Sequence, residues 1–155
     1  MERIASFSVD HNKLLPGLYV SRRDEWQGMT ATTFDLRVTA PNREPVMNTG
    51  CMHTIEHLAA PYLRNSALAG RMIYFGPMGC RTGFYLVVFG DMTPAGILPY
   101  VRDAFSFIAS YDGEIPGARP EECGNWSDQD LPAARAYAEK YLRDLAEDFR
   151  CEYEK

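Results

Sequence analysis

Two histidines and a glutamate lie within five residues of this chain, His53-Thr54-Ile55-Glu56-His57. On a helix turning about 100° per residue, His57 falls about 40° from His53 and Glu56 about 60° to the other side. Two imidazoles one turn apart can bind a single divalent cation, and a carboxylate beside them can take or give a proton near it. This is the inverted zincin pattern H-x-x-E-H, which takes a further ligand from elsewhere in the chain. The chain holds 3 histidines in all. Two of them at ligand spacing beside a glutamate favour metal binding over two polar positions on an amphipathic helix.

Two cysteines sit where they could join such a site. Cys123 lies in Glu122-Cys123-Gly124, in a loop flanked by Pro120 and Gly124. A thiolate there can approach a helix-borne site from outside, and two histidines with one cysteine leave a fourth position open to water or a substrate oxygen. A half-buried loop thiol is the plainer alternative. Cys80 lies in Gly76-Pro77-Met78-Gly79-Cys80-Arg81-Thr82-Gly83, which is no phosphate loop because it lacks Gly-Lys-Ser/Thr. A cysteine at a tight turn beside an arginine can be acidified and act as acid or base. Spacing alone favours a small residue at a strand start.

The elements that must carry these residues read as follows. Residues 30–39 alternate, with Phe34, Leu36 and Val38 on one face and Asp35, Arg37 and Thr39 on the other, which predicts a half-buried strand. Residues 82–90 are apolar at both parities, which predicts a strand covered on both faces. A helix is expected over 52–68, with Pro61 kinking or splitting it. A second begins at Thr93-Pro94 and buries Ile97, Val101, Ala104, Phe105 and Ile108, with Pro99 disturbing its first turns. Breakers fill 112–129, and a last helix runs from Leu131 to Phe149, capped by Asp130, with Tyr137, Tyr141, Leu145 and Phe149 inward. Strands interleaved with helices, without a βαβ phosphate loop, predict an α+β layer in one domain over 1–155.

Composition narrows the function classes. The 155 residues carry a formal net charge of −5, and 13 of the 16 basic residues are arginines scattered without a run. Nucleic-acid and anionic-membrane surfaces are not expected. The longest apolar run, Phe84 to Phe89, is far short of the roughly 20 residues that span a bilayer. The start, MERIASFSVDHN, shows no apolar signal region, so a cytoplasmic protein with free thiols is expected.

Taken together the segments resemble the S-ribosylhomocysteine lyases of the LuxS family, which make the autoinducer-2 precursor. The resemblance rests on Ser6-Phe7 with Asp10-His11-Asn12, Phe34-Asp35-Leu36-Arg37, Pro41-Asn42, His53 to Leu58, Gly76 to Tyr85 and Glu122-Cys123-Gly124, in order along nearly the whole chain. It implies an antiparallel sheet packed against helices, and a homodimer whose two chains both contribute to each pocket. It implies His53, His57 and Cys123 as ligands of one divalent metal, ferrous iron first, zinc or cobalt otherwise. It implies Glu56 and Cys80 as the acid/base pair, and Ser6, His11 and Arg37 as residues near the substrate. The implied reaction moves a sugar carbonyl from C1 to C3 by two enolisations and then expels homocysteine by β-elimination, leaving 4,5-dihydroxy-2,3-pentanedione.

Two positions depart from the pattern. Tyr74 stands where many members carry aspartate, and Pro61 falls in a helix that usually lacks proline. For Arg37 the residues alone also allow a surface ion pair with Asp35 or Glu44. Cys51 and Cys151 match no motif and are expected to be bystanders. The alternative enzyme is a small H-x-x-E-H metallopeptidase with Glu56 activating water. A metal-stabilised binding module would need the three ligands but neither Cys80 nor Glu56.

Overall fold

The structure is a computed structural model that describes residue 4 and residues 7–154. Among these residues four strands and three helices follow one another as β1 (Gly17–Trp26), β2 (Met29–Arg37), α1 (Thr49–Arg64), β3 (Met72–Pro77), β4 (Gly83–Phe89), α2 (Pro94–Ser110) and α3 (Leu131–Glu147). The strands form one antiparallel sheet in the order β1-β2-β4-β3. The expected α+β single domain with helices against an antiparallel sheet is therefore what the chain forms.

One sheet face is apolar because the alternation of β2 and β4 points Phe34, Leu36, Phe84, Leu86 and Val88 the same way, all buried. The three helices bury their own apolar stripes with it, through Ile55, Leu58 and Leu63 of α1, Val101, Phe105 and Ile108 of α2, and Ala138, Tyr141 and Leu145 of α3. Aromatic rings join the layers: Phe75 stacks on Phe84 at 5.3 Å, and Phe105 meets Tyr141 edge-on at 4.9 Å.

Several boundaries differ from the sequence reading. The first helix spans Thr49–Arg64 rather than 52–68, because Asn48 caps it by accepting from the Cys51 N–H at 2.7 Å. It runs unbroken through Pro61, which costs only the bond the His57 carbonyl would have accepted, one turn from the end. Pro99 likewise sits inside an unbroken α2. Helix α3 stops at Glu147, short of the expected Phe149; its buried face is Ala134, Ala138, Tyr141 and Leu145, while Tyr137, and Phe149 beyond the helix, are half-buried.

The two central strands exchange their expected burial. On β2 the polar positions are buried as well, with Asp35 and Arg37 each 3% exposed. On β4 the second face stays half-open at Tyr85 and Val87. The cause is the chain segment after α3, which covers the β1-β2 side of that face and leaves the β4-β3 side uncovered: the Arg150 carbonyl accepts from Leu18 N–H at 2.9 Å, and Tyr153 stacks on Tyr19.

Candidate active site

Helix α1 carries the core on one flank and the half-buried His53, Glu56 and His57 on the next. The loop after α2 is drawn across that flank by ties between the two helix starts. Asp130, the cap of α3, accepts from Asn48 Nδ2 at 2.9 Å, and its own N–H donates to Thr54 Oγ1 at 2.9 Å. Gly50 permits this approach: a Cβ there would stand 3.1 Å from the Gln129 backbone. Cys123 is thereby brought to the helix, its Sγ 3.3 Å from His53 Nε2.

His53, His57 and Cys123 each present one donor atom, and the three atoms lie within 4.8 Å of one another. Ligands about 2.0–2.3 Å from a tetrahedral ion stand roughly 3.5 Å apart, so the trio fits one divalent cation with little movement. The imidazoles are set for it. His53 Nδ1 lies 2.9 Å from the Asp128 carbonyl oxygen and His57 Nδ1 2.6 Å from that of Pro116. A carbonyl only accepts, so each Nδ1 holds the proton and each Nε2 keeps its lone pair for a metal. Gln129 Nε2, 3.2 Å from His53 Nδ1, then packs rather than bonds, and the Gln129 Oε1 accepts from Thr54 Oγ1 at 2.8 Å.

These three residues floor an open hollow of about 640 Å³ that Glu56, Glu122 and Gly117 also line. Gly117 sits at φ +69, and a Cβ there would lie 3.3 Å from the His57 ring. Both facts restrict the position to glycine.

A second cluster occupies the sheet face away from the helices. Arg37 Nη2 donates to Asp35 Oδ2 at 2.6 Å, and both side chains are buried, not on the surface. Glu44, the other candidate partner, pairs with Lys140 instead at 3.2 Å. Arg37 Nη1 donates to Thr82 Oγ1 at 2.5 Å and faces Cys80 Sγ at 3.8 Å, while Thr82 Oγ1 lies 3.1 Å from the same sulfur. Loss of hydration pushes the Cys80 thiol up, but the Thr82 hydrogen bonds and the Arg37 charge outweigh it, so the thiol sits below its ordinary value. Its turn is tight: Arg81 takes φ +60, and the Arg81 carbonyl accepts from Met47 N–H at 3.1 Å, just before α1. His11 stands near enough to act on the Asp35 charge, with its Nδ1 2.9 Å from the Val9 carbonyl. Ser6 lies outside the described residues.

Among the described residues the two clusters stay apart within one chain. No residue of the Arg37–Cys80 group lines that hollow, and no hydrogen bond or ion pair joins the two. Tyr74, at the expected aspartate position, lies 48% exposed on the same sheet face as Tyr85. Its phenol covers the Gly76 α-carbon, where a Cβ would collide with it. Sequence reasoning missed Thr82 and Tyr153, and it named Asp35 only as a surface partner of Arg37. Their signal was weak: a polar parity on β2, a hydroxyl two residues past a cysteine, and an aromatic in a charged tail.

Comparison with known proteins agrees with the geometry. A family model described as S-Ribosylhomocysteinase (LuxS) matches residues 4–151. A protein of Finegoldia magna named S-ribosylhomocysteine lyase is 55% identical over 142 residues, 92% of this chain and 90% of its own. One of Clostridium acetobutylicum with the same name is 52% identical over 152 residues, 96% of each chain. One of Porphyromonas gingivalis is 50% identical over 146 residues, 94% of this chain and 92% of its own.

Proposed function

The chain belongs to the S-ribosylhomocysteinase (LuxS) family, and we infer that it is a carbon–sulfur lyase that cleaves S-ribosylhomocysteine to homocysteine and 4,5-dihydroxy-2,3-pentanedione. The observation that carries this reading beyond the family is the pair of clusters: two imidazole nitrogens and a sulfur within 4.8 Å of one another, and a separate thiol held by Thr82 and Arg37. A peptidase needs the first and has no use for the second. The metallopeptidase alternative gains no support from the family match.

His53, His57 and Cys123 are the residues that would hold the metal, with ferrous iron proposed and zinc or cobalt able to take the same donors. When bound, the ion supplies Lewis acidity to the sugar oxygens. Glu56, on the same helix flank, is proposed to take and return a proton at the sugar carbon nearest the helix. Cys80 is proposed to do so at the neighbouring carbon, its thiolate favoured by Thr82 and Arg37. Arg37, with His11 and Ser6 in the N-terminal segment, is proposed to bind the polar ends of the substrate.

A homodimer follows as part of the same reading. The hollow beside His53, His57 and Cys123 is not lined by Cys80 of the same chain, and a complete site is proposed to take the Arg37–Cys80 cluster from a second copy. No described helix is long and apolar enough to cross a membrane, and a cytoplasmic enzyme that also returns homocysteine to metabolism is proposed. The test is free-thiol release from S-ribosylhomocysteine by the purified protein. Robust release is expected, with at least about a hundredfold loss in Cys80→Ala and in Glu56→Ala at unchanged metal content. No release by the parent protein, or casein cleavage in its place, overturns the reading.

A further inference from the structure

The tail beyond α3 ends on the most buried ion pair of the sheet. Arg150 ties it to β1 through the Leu18 N–H, and the Tyr153 ring stacks on Tyr19 with centroids 4.7 Å apart and planes at 11°. The Tyr153 hydroxyl donates to Asp35 Oδ2 at 3.1 Å, the oxygen that also accepts from Arg37 Nη2. Arg37 in turn faces Cys80 through Nη1. A continuous line of polar contacts thus runs from the tail to the thiol.

An arginine beside a thiol draws it toward thiolate, and a carboxylate behind the arginine cancels part of that pull. We propose that Asp35, held by Tyr153, is a positioning residue for Cys80: it fixes the Arg37 guanidinium at the sulfur and offsets its charge, so that the sulfur can both take and return a proton. This deepens the lyase reading and rests on Cys80 being a proton-transfer group.

The hydroxyl matters because Asp35 has few other supports. Its Oδ1 has no hydrogen-bond partner among the described residues, so Oδ2 carries its bonds alone. Burial pushes the Asp35 carboxyl up, and Arg37 and Tyr153 oppose that. Burial and Asp35 itself push the Tyr153 phenol up, so it remains a protonated donor at neutral pH. The other titratable groups facing Asp35 are Tyr19 of β1, Tyr141 of α3, Tyr85 of β4 and His11 of the N-terminal segment. The three phenols are raised by burial first and by Asp35 second, so they stay neutral, and Tyr85 also faces Cys80.

The experiment is the pH midpoint of Cys80 alkylation by iodoacetamide in the full-length protein, read by mass spectrometry of the Cys80 peptide. Asp35→Asn keeps the side-chain shape and removes the offsetting charge, so the midpoint is expected to fall by about one pH unit. Tyr153→Phe makes Asp35 easier to protonate and is expected to lower the midpoint in the same direction by less. A midpoint at or above wild type in folded Asp35→Asn overturns the proposal. If that variant does not fold, the same result in Tyr153→Phe overturns it. An unshifted Tyr153→Phe beside a shifted Asp35→Asn overturns the tail's part. The midpoint is read without substrate, so it stands or falls separately from homocysteine release.

Discussion

His57 Nδ1 lies 2.6 Å from the carbonyl oxygen of Pro116, and this contact couples α1 to the loop that delivers Cys123. It fixes the tautomer, aims Nε2 into the hollow and holds the loop against α1. Gly117, next along, is the backbone position that allows it. Gly117→Ala adds a Cβ at positive φ against the His57 ring, so weaker metal retention is expected, about 10–100-fold in affinity, the ordinary effect of disturbing a ligand's outer partner. Competition with a chromophoric chelator measures it, and unchanged affinity would contradict the role given to this contact.

Metal removal is expected to abolish activity without unfolding the chain. The core of Phe34, Leu36, Ile55, Leu58, Phe84, Phe105 and Tyr141 is complete without any ligand atom. Far-UV circular dichroism of chelator-treated protein should match that of the untreated sample, and His57→Ala should behave as the chelated protein does. Loss of the spectrum on chelation would show that the ion is structural.

The buried Asp35–Arg37 pair makes an asymmetric stability prediction. Arg37→Ala leaves a carboxylate buried without its cation and is expected to cost about 3–5 kcal/mol in urea unfolding. Adding Asp35→Ala removes the orphaned charge, so the double variant should recover part of that loss. A double variant as unstable as the sum of its parts would contradict a buried pair.

Thiol chemistry should separate Cys80 from Cys51. Thr82 and Arg37 favour the Cys80 thiolate over its partial desolvation, so its thiolate population grows at lower pH than in an ordinary thiol. Burial, with Asp130, pushes Cys51 up to about 12. Iodoacetamide near pH 8 should label Cys80 well before Cys51, as counted peptide by peptide, and equal labelling would contradict both environments.

Tyr74 and Gly76 should behave as one unit. Gly76→Ala forces the phenol off its perch and is expected to destabilise the protein, whereas the same change in a Tyr74→Ala background should cost much less. Equal costs in the two backgrounds, by thermal unfolding, would mean the contact carries no weight.

What was readable in the sequence was what local patterning controls. The i, i+4 histidines, the Thr93-Pro94 start and the β2 alternation each reflect one element's own period. Strand β1 escaped because its outer half, from Arg22 to Trp26, is an exposed, charged edge, although Gln27-Gly28 at positive φ is a two-residue hairpin signal. Strand β3 escaped because it is short and shifts register between Met72 and Tyr74. The burial of Asp35 and Arg37 was hidden for a different reason. It depends on a tail that comes back from the other end of the chain, which no window of sequence contains.

The most direct measurement mixes two inactive proteins. Glu56→Ala and Cys80→Ala, each expected to release no homocysteine from S-ribosylhomocysteine, are combined, allowed to exchange subunits and assayed again. If each site joins one chain's metal cluster to the other's Cys80 cluster, a mixed dimer holds one intact site, and recovery of about a quarter of the wild-type rate is expected. Activity that stays at the level of the separate variants, in a mixture shown to contain mixed dimers, would contradict the shared site.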